Sequence, residues 1–317
     1  MLNAADNGFV AVLVTGGAGF LGSHLVARLR AAGEEPFVAR RAEYDLTDAR
    51  EAGRLFRDAR PELVFHLAAE VGGIGANAAR PGRYWYANLA MGLNVLEASR
   101  RAGVDKLVLV GTVCSYPNDT RVPFREAQLW DGFPEDTNAP YGIAKRTLLV
   151  GAEAYRAEYG LRSIYLLPAN LYGPGDDFDL EASHVIPALV RKMVDARERR
   201  EESVLLWGDG SPTREFLYVE DCVEALLLAA ERYNGPDPVN VGNGEEISIR
   251  DLAALVAEVT GYDGEIRWDT SRPNGQPRRR LDVSRAERLF GFRASTPLRV
   301  GLERTVAWWR DRAVVAL

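Results

Sequence analysis

The stretch APYGIAKRTLLV, residues 139–150, sets Tyr141 and Lys145 four positions apart at the start of an apolar-periodic run. On a helix the two stand one turn apart and point the same way. A phenol with a pKa of about 10 exchanges protons poorly near neutrality, and an ammonium beside it lowers that value. The spacing suits an acid that protonates a developing oxyanion, although two polar residues on a wet helix face share it. Thr112 and Cys114, in GTVCSYP, are two apart, which on an extended segment puts hydroxyl and thiol on one face. His184, in SHVIPAL, adds an imidazole that titrates near working pH. Taken singly, Cys114 reads as a small buried filler and His184 as a structural histidine. Cys222 lies on an apolar helix face and reads as core, and His24 and His66 read as structural.

These side chains need elements to position them. Residues 9–15, FVAVLVT, read as a buried strand, and GGAGFLGSHLVARLRAAG follows at once. Gly16, Gly19 and Gly22 lie on a turn between strand and helix, where backbone N–H groups can approach a pyrophosphate. A second strand over 36–39 ends in Arg40 and Arg41 rather than an acid, which favours NADPH over NADH. Asp45 either reaches an adenine amino group or caps a helix beginning near Ala49. Strands over 62–69, 106–117 and 163–174 alternate with helices over 88–103 and 141–158. The pattern predicts a doubly wound parallel sheet of Rossmann type, α/β in class, with a smaller α/β substrate-binding lobe. Residues 1–174 form the dinucleotide-binding part, a segment about 212–258 returns to it, and 175–317 mainly form the lobe. Ligands of such sheets bind beyond the carboxyl ends of strands, where Gly16 to Gly22, Thr112, Cys114 and Asn170 all fall.

Composition narrows the classes. A chain of 317 residues, 47% hydrophobic, can bury a large core. A net charge of −6 argues against nucleic acid and anionic membranes as partners. No apolar run approaches the roughly 18 residues of a spanning helix. The N-terminal stretch lacks the layout of a secretory signal, and two cysteines imply no disulfide framework; a cytoplasmic protein is expected. Lysine occurs only at 106, 145 and 192 in an arginine-rich chain, which makes Lys145 a marked choice.

Together TGGAGFLG, HLAA, GTVCSYP, YGIAK and NLYGP resemble the extended short-chain dehydrogenase/reductase family of nucleotide-sugar enzymes. VGGIGAN, CSYP, NLYGPGDDF, SHVIPAL, REFLYVED and PRRRLDVSR narrow the resemblance to its epimerase/reductases of GDP-4-keto-6-deoxy-hexoses. The matching segments span nearly the whole chain. The resemblance implies inversion at C3 and C5 followed by reduction of C4 with NADPH. The same site on a dTDP-, UDP- or CDP-linked keto-sugar, or performing one step alone, is the alternative. It places the family's catalytic Ser, Tyr and Lys on Thr112, Tyr141 and Lys145, and its epimerisation Cys and His on Cys114 and His184.

Cofactor contacts are expected from Gly16, Gly19, Phe20, Leu21 and Gly22, from Arg40, Arg41 and Asp45, and from Leu67 and Ala68. Tyr141, Lys145, Asn170 and His184 complete that set. The substrate is expected to meet Asn170, Lys192, Trp207, Arg214 and Arg279, the two arginines on its diphosphate, with no metal. Three departures from the family stand out: Thr112 for Ser, Lys192 for Arg, and Glu70 where Lys is common. The 88–103 and 141–158 helices carry wide apolar faces, and the resemblance implies that they pair across a two-fold axis in a homodimer.

Overall fold

The computed structural model describes residues 11–180, 183–272 and 274–315. Phe9 and Val10, expected in the first strand, lie outside these, as does the N-terminal stretch read for a leader signal. The first half runs β1 (Val12–Thr15), α1 (Phe20–Ala31), β2 (Phe37–Ala39), α2 (Ala49–Ala59), β3 (Leu63–His66), α3 (Ile74–Ala79), α4 (Pro81–Ala102), β4 (Lys106–Val110), α5 (Ala139–Tyr159) and β5 (Ser163–Pro168). Then follow β6 (Asn170–Tyr172), α6 (Val185–Arg199), β7 (Ser203–Trp207), β8 (Thr213–Arg214), β9 (Phe216–Tyr218), α7 (Val219–Arg232) and β10 (Val239–Val241). The chain closes with β11 (Ile247–Ser248), α8 (Ile249–Thr260), β12 (Glu265–Asp269), β13 (Arg278–Arg279), α9 (Ser284–Phe290) and α10 (Leu298–Val315).

Six strands form one parallel sheet in the order β10-β5-β4-β3-β1-β2. Its strands β1, β3 and β5 are buried along their whole length, which is why they read as unbroken apolar runs. The stretch expected as one strand over 163–174 divides at Ala169: β5 stays in the main sheet and β6 pairs with β9. Helices α4 and α5 pack closely because Gly92 has no side chain; a Cβ there would lie 2.3 Å from Leu148 Cδ1.

A second apolar core gathers residues of α6, β7, α8, β12 and α10, among them Val190, Leu206, Val256 and Leu302. The stretch expected to return to the main sheet therefore divides: Leu217 and residues from Cys222 to Val241 pack on the larger core, Phe216, Tyr218 and residues from Leu252 to Val256 on the smaller. Leu281 to Phe292 rejoin the larger core. Three short strands, β11-β8-β13, lie between these segments. Among the described residues, no helix is long and apolar enough to cross a membrane.

Candidate active site

A cavity of ≈ 1000 Å³ opens at the carboxyl ends of the main strands, and every residue nominated above as catalytic, cofactor-binding or substrate-binding lines it. At one end lies the glycine turn. Gly16 has φ +71°, and a Cβ on it would meet the Ala68 nitrogen at 2.6 Å; a Cβ on Gly22 would sit 2.1 Å from Gly16 O. The Gly19 amide donates to Gly16 O at 2.9 Å, and α1 begins there with no side chain capping it and no acid in its first turn. Uncapped amides at a helix start, reached over bare glycine backbone, suit a pyrophosphate. Leu67 and Ala68 follow β3 beside this turn, because the Leu67 amide donates to Thr15 O.

Beyond the turn the expectations need adjusting. Asp45 does not cap α2; its carboxylate accepts from the Thr47 amide and hydroxyl, and Asp48 caps the helix by accepting from the Arg50 amide. Arg41 is not a free cation, since its Nη1 pairs with Glu70 at 2.8 Å.

The residues nominated as catalytic meet because the start of α5 is pressed against the loop after β4. A Cβ on Gly142 would lie 2.4 Å from Cys114 O, and Ser115 Oγ donates to Gly142 O at 3.0 Å. The loop is not extended as expected: residues 113–115 form a single 3-10 turn, closed where the Ser115 amide donates to Thr112 O and capped where the Cys114 amide donates to Thr112 Oγ1, both at 3.1 Å. Thr112 and Cys114 both face the cavity nonetheless.

Lys145 is buried and donates to Val110 O at 3.0 Å, while Tyr165 donates its hydroxyl to Lys145 O. Burial pulls the Lys145 ammonium down to about 8. Tyr141 does not show the expected depression. Burial pushes its phenol well above the ordinary value, Cys114 adds to this, and only the Thr112 hydroxyl pulls the other way. The reason is that the phenol has left water, which penalises its anion more than its neighbours relieve.

His184 stands at the N-cap position of α6 without a side-chain capping bond and stays accessible from the cavity, yet protein crowds it enough to lower its pKa, with Asp177 opposing. The remaining cysteine and histidines are structural. Burial pushes Cys222 up to about 12, His66 is buried with Nδ1 on Thr15 Oγ1, and His24 reaches Pro174 O.

The other end of the cavity is built from side chains. Arg214 and Arg279 stand side by side on the parallel pair β8 and β13. Burial, then Arg279, lowers Arg214 to about 10. Arg279, expected on a diphosphate, is buried, donates through Nε to Gln276 Oε1 at 3.0 Å, and points Nη1 at Cys114 Sγ, 3.5 Å away. Lys192 donates to Leu205 O, and burial lowers its ammonium. Trp207 is largely exposed with Arg272 over its ring, and Asn170 donates to Glu215 O.

Several lining residues escaped the sequence reading. Asp176 is buried with Oδ2 lacking a hydrogen-bond partner, and burial raises its carboxyl to about 7. Glu135 accepts from Thr137 and Asn138, and Asn138 in turn accepts from Asn77, which anchors the start of α5. Only the paired acids in GDD could have drawn attention to Asp176. Nothing local marks Glu135 or Gln276. Among the described residues no cluster of His, Cys, Asp and Glu could hold a metal.

Comparison with known proteins gives the same outline. Residues 12–242 match the model of the NAD dependent epimerase/dehydratase family. The chain is 42% identical over 93% of its length to the GDP-L-fucose synthase of Sinorhizobium fredii, of which 93% is covered. It is 38% identical to that of Escherichia coli, over 95% of this chain and 96% of that protein. A GDP-L-fucose synthetase from Naegleria fowleri bound to NADP superposes with a TM-score of 0.87 at 28% identity, over 96% of this chain and 94% of that one. The chain belongs to the NAD dependent epimerase/dehydratase family, with GDP-L-fucose synthases among its relatives.

Proposed function

We propose that this protein converts a GDP-4-keto-6-deoxy-hexose by inverting C3 and C5 and then reducing C4 with NADPH. The observation that carries the reading is the meeting of three devices in one cavity: the glycine turn, the Thr112–Tyr141–Lys145 group, and the Cys114–His184 pair. The relatives named GDP-L-fucose synthase support the sugar and base, and the NADP-bound neighbour supports the cofactor.

The C–H bonds at C3 and C5 flank the C4 ketone, so removing either proton sends charge onto O4. Cys114, as thiolate beside the Arg279 guanidinium, takes the proton. Tyr141 and Thr112 hydrogen-bond O4 as charge develops. His184 returns a proton on the opposite face; its lowered pKa leaves less imidazolium at neutrality but makes each one a stronger acid. NADPH, when bound, supplies the hydride for C4. Gly16, Gly19, Phe20, Leu21 and Gly22 would hold its pyrophosphate, Arg40, Arg41 and Asp45 its adenosine end, and Lys145 and Asn170 its nicotinamide end. Tyr141 gives its proton to O4, and the raised phenol pKa keeps that proton in place until the oxyanion forms. Arg214, Lys192 and Trp207 would meet the diphosphate and base.

We also propose a homodimer, supported by exposed apolar side chains on α4 and α5: Trp85, Tyr86, Leu93 and Val150. A mass near 34.9 kDa in light scattering at micromolar concentration would rule it out. A reducing, cytoplasmic setting fits the free thiol of Cys114.

The deciding experiment runs in deuterated water with NADPH and GDP-4-keto-6-deoxy-mannose. NADPH oxidation with two carbon-bound solvent deuteriums in the product is the expected result. Oxidation without them would reduce the protein to a plain 4-ketoreductase.

A further inference from the structure

Glu70 lines the end of the cavity that also holds the glycine turn and Arg41. Its carboxylate binds Arg41 Nη1 at 2.8 Å on one side and takes two hydrogen bonds from Arg83 on the other, Nε at 2.6 Å and Nη2 at 3.2 Å. The two guanidinium groups hold the carboxylate, and the backbone that carries it is clamped as well. Its N–H donates to Asn88 Oδ1 at 3.1 Å, and its carbonyl accepts from Nδ2 of the same buried Asn88 at 2.7 Å. The Glu70 side chain is 16% exposed against 67% for Arg41 and 53% for Arg83, so its charge is the least screened of the three.

We propose that Glu70 sets the dinucleotide selectivity of this cavity, weakening the preference for a 2′-phosphate so that NADH is accepted alongside NADPH. The inference rests on the dinucleotide reading above. A 2′-phosphate must share Arg41 with a fixed carboxylate and sit within its repulsion, whereas a ribose hydroxyl finds in that carboxylate an acceptor. Selectivity is a difference between two affinities, and a like charge acts on only one of them. Arg83 offsets part of the repulsion, which keeps NADPH binding possible.

Fluorescence titration of the purified protein with NADPH and with NADH, without any sugar nucleotide, tests this. The wild type should hold the two within about tenfold of each other, and Glu70→Gln should raise the ratio of Kd(NADH) to Kd(NADPH) about tenfold, mainly by tightening NADPH. Glu70→Lys should raise it further, and the gain should shrink from about 50 to about 500 mM salt. A ratio unchanged within about twofold in both variants overturns the proposal. So does loss of both dinucleotides in both variants, which would make Glu70 a support of the cradle rather than a discriminator. A wild type that binds neither dinucleotide would overturn the cofactor reading itself, and this inference with it. A wrong choice of sugar would leave these titrations untouched.

Discussion

The two ends of the cavity offer a ligand different means of recognition. The glycine end works through backbone: a turn of bare main chain, an uncapped helix start, and residues within a few positions of one another. The far end works through long charged side chains brought together from β8, β13 and α6, elements that lie far apart in sequence. Backbone recognition tolerates little change in shape and leaves a short contiguous signature. Side-chain recognition tolerates repacking and leaves almost none.

The largest effect should come from filling the backbone end. Gly22→Ala places a methyl 2.1 Å from Gly16 O, so the turn must open. We expect at least about a hundredfold loss of dinucleotide affinity and a stability loss of about 1–3 kcal/mol. Gly82→Ala, with nothing within 4 Å, is the matched control and should be neutral or slightly stabilising in thermal melts. Equal behaviour of the two would end the distinction between the regions.

Next is the junction between the ends. Tyr141→Phe should lower kcat for reduction by about 10²–10⁴ in stopped-flow assays, with dinucleotide Kd nearly unchanged. The rate should also fall as pH rises through about 8, because Lys145 loses its charge there, and Lys145→Met should remove that limb of the profile.

Arg279→Gln sharpens the account of the far end. If the guanidinium mainly steadies the Cys114 sulfur, solvent deuterium uptake at C3 and C5 should slow by about tenfold to hundredfold. A rise in sugar-nucleotide Kd alone would return Arg279 to the diphosphate.

The smallest effect concerns stability. The Asp176 carboxyl is raised from 3.8 to about 7 by burial, so between those values the folded chain binds more protons than the unfolded one. Its contribution to stability is therefore present below pH 3.8 and declines as pH rises to about 7. Asp176→Asn, which cannot ionise, should melt higher than wild type at pH 8 and lose the advantage near pH 4. A constant difference across that range would show that Asp176 ionises freely in the fold.

What the sequence determined by itself is whatever depends on local periodicity or on contiguous backbone. The buried strands β1, β3 and β4, the glycine turn, the Tyr141–Lys145 pair on one helix turn, and the motif segments around Thr112, Cys114 and His184 were all legible, since each is a short contiguous stretch. Only the tertiary structure decided the rest. The 3-10 turn at Cys114 is capped by a hydroxyl finding one amide, and the split of 163–174 depends on which sheet each half joins. The Tyr141 phenol is raised because the fold has removed its water, and Arg279 meets Cys114 across 165 positions. Glu70 could be noticed as a departure, but its clamp by Asn88 and its hold on Arg41 exist only once α4 and the ends of β2 and β3 are packed together. Burial and charge pairing are properties of assembled space, and spacing along a chain does not encode them.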